Sequence, residues 1–354
     1  MRPLTPLALR QEFRHLAHEY HKIDLGGPPV KTNGWDENFQ DAEWPFMGVA
    51  YFAYGCAELA RADESIRPDA LAEARWAVEA LQSRRLSGFI EEHYGTAFAD
   101  TADEQGASVF FHGHFLNAAL RYREASGDER FDAVIRRVSG ALLRSYASSD
   151  DGILSSYPGM YWLSDNFVAL SALARYARAF DADVSSATGK VILTTGTHYI
   201  DDATGLFATY VEPRRTRIQQ GPRGISIMYG IVFLDDFAPE FARAQWVRAK
   251  KHLVRSAFGL AAVREFPIDC EGVPDGDSGS VIFGLGLSAS GFAIPAAGVM
   301  RDAETGWALM RAAVAAGMPV LEGDRLRYTG MPTVGQAVTF FGRVLLVHGG
   351  RGAP

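Results

Sequence analysis

Two carboxylates, Asp275 and Asp277, lie two residues apart in the run Pro274-Asp275-Gly276-Asp277-Ser278-Gly279-Ser280, which leads straight into an apolar, glycine-rich segment. Crowded carboxyls carried toward a buried helix repel one another and lose solvent, and both effects raise a pKa until one group keeps its proton near neutral pH. Asp277 is therefore the first candidate for a general acid or base, with Asp275 as its partner. The competing reading is that both residues cap and turn the loop beside Gly276 and Gly279. A further acid, Asp165, follows Tyr157, Tyr161 and Trp162 and stands before Asn166 at the start of another apolar segment. A helix start favours a carboxylate for its own sake. Aromatic faces beside an acid also suit a site that holds a sugar ring, a polyene or a developing cation.

His112 and His114 belong to an apolar stretch with Phe110, Phe111, Phe115 and Leu116. Residues two apart on a helix point about 200° from one another, so the pair cannot chelate one metal ion. Either histidine is a satisfied core residue, or one of them, His114 first, is a general base with His112 against the substrate. Tyr229, with Tyr51 and Tyr54, falls on apolar segments where a hydroxyl needs a partner. Arg223, near Arg214, Arg215 and Arg217, either meets a substrate anion or belongs to a solvated loop. Trp35 and Asp36, with Glu37, Asn38 and Asp41, complete the set of candidate substrate-binding and acidic residues. There is no phosphate-binding glycine loop, dinucleotide fingerprint, zinc-helix motif or nucleophile elbow, so neither a cofactor nor a metal is called for.

These residues fall in a regular frame of twelve helix candidates of alternating character. Segments 7–21, 68–83, 129–146, 183–199, 239–258 and 302–317 are amphipathic and charged, as helices with one wet face must be. Segments 43–60, 107–123, 164–180, 222–234, 288–300 and 333–347 are apolar nearly all round, which requires burial on every side. Strict outer-then-inner order predicts an all-α (α/α)6 toroid over a single domain, residues 1–354, with short strands near 206–211 and 261–266. Every outer-to-inner connection then opens at the same mouth, and those connections (34–41, 100–105, 155–162, 209–223, 264–280 and 325–333) carry the candidates above.

Composition sets outer limits on function. A net charge of −7 with both signs mixed leaves no footprint for nucleic acid or an anionic membrane. With 47% hydrophobic residues the chain buries a large core, and two isolated cysteines, Cys56 and Cys270, give no disulfide framework. The expected location is cytoplasmic, unless a leader or anchor has been removed, and the expected partner is a small-molecule substrate.

The segment from Asp275 to Ser280 resembles the acid motif of class II terpene cyclases, with Ser278 in place of its last Asp. The whole-chain layout is similar to linalool dehydratase/isomerase, which implies acid–base removal or addition of water on a terpene alcohol. On that resemblance Asp36 or Asp41, His114, Ser156 and Asp165 take the matching positions, the last two where the family carries cysteines. The layout also resembles inverting (α/α)6 glycosidases, in which two carboxylates on opposite mouth loops act; Asp165 or Asp36 would then work with Asp277. The expectation is a cofactor-independent acid–base enzyme of lyase, isomerase or cyclase type acting on an apolar or hydroxylated substrate, with Asp277 as acid. Its alternatives are an inverting glycoside hydrolase and a toroid that only binds a ligand.

Overall fold

A computed structural model describes residues 5–30, 43–95, 108–268, 270 and 272–348. Among them, twelve helices of 11 to 20 residues follow one another in pairs. The outer members are α1 (Pro6–Tyr20), α3 (Arg67–Leu81), α5 (Asp132–Ser148), α7 (Ser185–His198), α9 (Pro239–His252) and α11 (Ala303–Gly317). The inner members are α2 (Glu43–Ala62), α4 (Val109–Ser126), α6 (Leu163–Phe180), α8 (Gly224–Leu234), α10 (Leu287–Val299) and α12 (Thr333–His348). Two short helices, Arg84–Ser87 and Phe89–Tyr94, lie between α3 and α4. Each inner helix packs on the next, and α12 packs on α2, so the inner ring closes.

Local chemistry sets the boundaries. Thr5, Ser108 and Asp302 accept the backbone N–H of Ala8, Phe111 and Thr305 at the starts of α1, α4 and α11. Proline opens α1 and α9, where its missing N–H costs nothing. Gly127 ends α4 in the left-handed region at φ 74°. All eleven residues of α8 are buried, as a helix without a wet face demands. Glycine permits the closest approach between inner helices: a Cβ on Gly113 would stand 2.9 Å from the backbone nitrogen of Ala169.

Short antiparallel hairpins decorate the connections. Here β1 (Tyr161–Trp162), β2 (Tyr210–Glu212) and β3 (Arg217–Gln220) form one small sheet, and β4 (Val254–Ala257) pairs with β5 (Leu260–Val263). The helix expected over 239–258 therefore ends at His252, because Val254 onward pairs with the returning strand. The strand expected over 206–211 begins only at Tyr210, apart from a single bridge at Phe207. A hairpin of β6 (Val281–Ile282) and β7 (Leu285–Gly286) precedes α10, and β8 (Pro319–Glu322) pairs with β9 (Arg325–Tyr328) ahead of α12.

No helix among the described residues is long and apolar enough to cross a membrane. Toward the C-terminal ends of the inner helices the ring is tied by buried ion pairs: Arg121 to Glu58 at 2.6 Å, and Arg175 to Glu124 at 2.6 Å and to Asp236 at 2.9 Å. Tyr51 of α2 contrasts with them, since its fully buried hydroxyl meets no hydrogen-bond partner among the described residues. Tyr51→Phe is thus expected to hold or raise stability, by up to about 1 kcal/mol, in chemical denaturation. A loss above about 2 kcal/mol would show that the hydroxyl is bound after all.

Candidate active site

The starts of the inner helices and the loops feeding them enclose one half-open cavity at the mouth. Glu43, Trp44 and Met47 enter it from α2, Phe110 from α4, Ser164 and Asp165 from α6, and Ile225, Ser226 and Tyr229 from α8. Phe292 of α10, together with Tyr157, Trp162 and Asp277 from the connections, completes the wall. None of these described lining residues is Lys or Arg.

Three carboxyls therefore share the space. Glu43 sits in the first turn of α2 and accepts the hydroxyl of Tyr157, which reaches it from the connection before α6. Burial, aided by the charges of Asp277 and Asp165, pushes Glu43 up to about 8 against the lowering pull of that hydrogen bond. Asp165 accepts the Tyr229 hydroxyl at 3.1 Å. Burial raises it to about 7, opposed by the nearby hydroxyls of Ser156 and Tyr229 and supported by Asp277. Asp277 belongs to a part-exposed stretch at the rim, but its carboxyl lines the cavity and burial, with Asp275 next in weight, raises it to about 6. In ring order these acids belong to the first, third and fifth inner stations. All three line the same cavity, and the charge of Asp277 acts on both Glu43 and Asp165.

A buried clamp holds the Asp277 loop. Arg223, 2% exposed, donates to Glu265 at 2.9 Å, to both oxygens of Asp275 at 2.5 and 2.6 Å, and to Ser278 at 2.7 Å. Asp275 also accepts the backbone N–H of Asp277 and Ser278, capping the turn Gly276–Ser278. Against the cost of burial, the bonds to Arg223 hold Asp275 below the usual carboxylate range.

Several expectations change accordingly. Asp275 is an ionised cap and ion-pair partner rather than a proton donor, and Arg223 is consumed by that clamp rather than left for a substrate anion. His112 lies outside the cavity lining: its Nδ1 meets the Ser108 carbonyl at 3.1 Å, and the charge of Arg137 on α5 acts on it. Tyr161 alternates away while Trp162 lines the cavity, as strand neighbours do. His114 is wholly buried behind the wall and touches Tyr229 rather than the open space. Trp35 and Asp36, with Asp41, lie outside the described residues. Asp165, Asp277, Tyr157, Trp162 and Tyr229 do converge. Glu43 joins them without a distinguishing mark in the sequence, although like Asp165 on α6 it is an acid in the first turn of an inner helix, α2.

No family model matches the sequence. Among solved structures, the chain is similar to a family 105 glycoside hydrolase from C. acetobutylicum, with 11% identity and a TM-score of 0.57 over 95% of this chain and 99% of that one. It is similar to a family 76 α-mannanase from Bacteroides thetaiotaomicron, with 10% identity and a TM-score of 0.57 over 97% of each chain. A polysaccharide lyase gives 9% identity and a TM-score of 0.57 over 99% of each chain. These likenesses, which run over nearly the whole length, show the (α/α)6 toroid.

Proposed function

We propose that the chain is a cofactor-independent glycoside hydrolase that inverts configuration at a neutral sugar, with Glu43 as general acid and Asp277 as general base. One observation carries this reading: three carboxyls of graded proton affinity line one aromatic-walled cavity and act on one another's charge. At neutral pH the most basic of them, Glu43, keeps a proton to give to the departing glycosidic oxygen, while Asp277 is ionised and takes a proton from water. The water oxygen bonds to the anomeric carbon as the glycosidic bond breaks, so one proton enters the leaving group and one is collected by the base. Trp162, Tyr157 and Phe292 offer flat apolar faces to the ring.

The sugar is taken as neutral because a charged uronate would need a cation, and none is present among the described lining residues. Elimination at a uronate, as a lyase performs it, has the same requirement. The names of the similar structures favour carbohydrate over terpenoid chemistry. The terpene-cyclase resemblance also loses its acid pair, since Asp275 is bound to Arg223.

The test is hydrolysis of a panel of neutral aryl glycosides and oligosaccharides, with the first-formed anomer followed by proton NMR. Inversion is expected, and Asp277→Asn should lose on the order of 10² to 10⁴-fold in turnover with its melting temperature nearly kept. Asp275→Asn, which weakens the clamp, should lose stability as well. Full activity in Asp277→Asn, or a product of retained configuration, would remove the proposal.

A further inference from the structure

Behind the cavity wall a hydrogen-bonded chain links α6, α8, α4 and α2. The Tyr229 hydroxyl lies 3.1 Å from Asp165 Oδ1 and 2.7 Å from His114 Nε2. On the far side of the imidazole, Nδ1 lies 2.7 Å from the Tyr54 hydroxyl, whose second neighbour is the His114 carbonyl at 3.1 Å. Every member is buried.

The protons in this chain can be counted. An ionised Asp165 has none, so the single hydroxyl proton of Tyr229 must point at it. The Tyr229 oxygen then accepts, which makes His114 Nε2 the protonated nitrogen. Nδ1 is consequently bare and takes the proton of Tyr54. With the other tautomer, the Tyr229 proton would be drawn to Nε2 and the carboxylate would face a phenol oxygen without a hydrogen between them, a costly arrangement in a buried site. A protonated Asp165 would allow the whole chain to reverse. Tyr54 would then accept from Nδ1–H at 2.7 Å and donate to the His114 carbonyl at 3.1 Å, but the acid's proton would have to sit on Oδ1, against Tyr229 and away from the cavity.

We propose that His114 is held as the neutral Nε2–H tautomer and is a positioning residue: through Tyr229 it keeps Asp165 Oδ1 as an acceptor and leaves Oδ2 as the oxygen that gains and loses the proton. Only the consequence for turnover rests on the glycosidase reading; the tautomer does not. The surroundings agree with a neutral ring. Phe46, Phe110 and Phe233 pack around it, and Tyr51 and Tyr54 face it from α2 and Tyr229 from α8. The nearest charges are Asp165 beyond Tyr229 and Arg121, whose guanidinium lies 5.3 Å from the centre of the Tyr54 ring. Burial takes the imidazole down to about 3.

The experiment uses the full chain, without substrate, labelled with ¹⁵N-histidine and ¹³C-aspartate. Long-range proton–nitrogen correlations between pH 5 and 9 are expected to show His114 with Nε2 protonated and Nδ1 bare throughout. In Tyr229→Phe the Asp165 carboxyl should titrate about one pH unit higher, because a hydrogen bond to its charged form is gone. His114→Gln, which can still donate to Tyr229, should restore the lower value where His114→Leu does not. A protonated Nδ1, a mixture that changes with pH, an imidazolium, or an unmoved Asp165 titration in Tyr229→Phe would each overturn the proposal. None of these readouts depends on whether a glycoside is cleaved.

Discussion

Glu43→Gln is expected to lower turnover on a cleaved glycoside by on the order of 10² to 10⁴-fold while the protein stays folded. The amide keeps the size of the carboxyl and can still accept the Tyr157 hydroxyl, but it has no proton to give. The basic limb of the pH profile, set in the parent by loss of the Glu43 proton, should flatten in the variant, while the acidic limb set by Asp277 remains. Stability carries the same signature. The folded-state pKa of Glu43, about 8, lies above its ordinary value of 4.5, so the folded chain holds this proton more tightly than the unfolded one. That contribution is complete below about 4.5 and is lost as pH rises toward about 8. Denaturation across this window should show the parent weakening with pH more than Glu43→Gln does. Equal slopes, or unchanged turnover, would take the acid role away from Glu43.

Arg223→Met should be the most damaging single change to the mouth. Glu265 is wholly buried, with Oε1 bonded to Arg223 and Ser278 and Oε2 without a partner among the described residues, so loss of the guanidinium strands its charge. Breaking a buried pair in this way costs about 3–5 kcal/mol. Activity should fall as well, because Asp275 then loses the bonds that hold the turn carrying Asp277. Arg223→Met combined with Glu265→Gln separates the two effects: it should recover most of the stability and little of the activity. Recovery of both would mean that the clamp does not position Asp277.

The alternation of helices was readable because burial on all sides leaves a mark that no surface helix carries, as in Ile225–Leu234 with no charged residue. The hairpin tips left no such mark. Phe258 and Phe283 take the first of the two positive-φ places in tight turns, at 53° and 52°, where Asn, Asp or Gly is the usual signal, and only Gly259 and Gly284 behind them fit the pattern. Within the site, Asp165 and Asp277 were visible as acids opening inner segments. Asp275 could not be told from its neighbour, because what separates them is Arg223, 52 positions away in the chain and brought to both its oxygens only by the fold. Glu43 passed for an ordinary first-turn acid, since its burial depends on Tyr157, which is 114 positions distant.

The contact between α12 and α2 makes the barrel a closed ring, and a ring has no partial form with satisfied edges. While the chain is being synthesised, α2 emerges first among the inner helices and keeps one apolar flank uncovered until α12 arrives at the other end of the sequence. The hairpins between them can form as they appear, because their partners are close in the chain, but the last joint is among the longest-range contacts available to it and carries the largest loop-closure cost. The burial that raises the proton affinity of the three acids belongs to the closed ring. The mouth is thus complete only when the circle is.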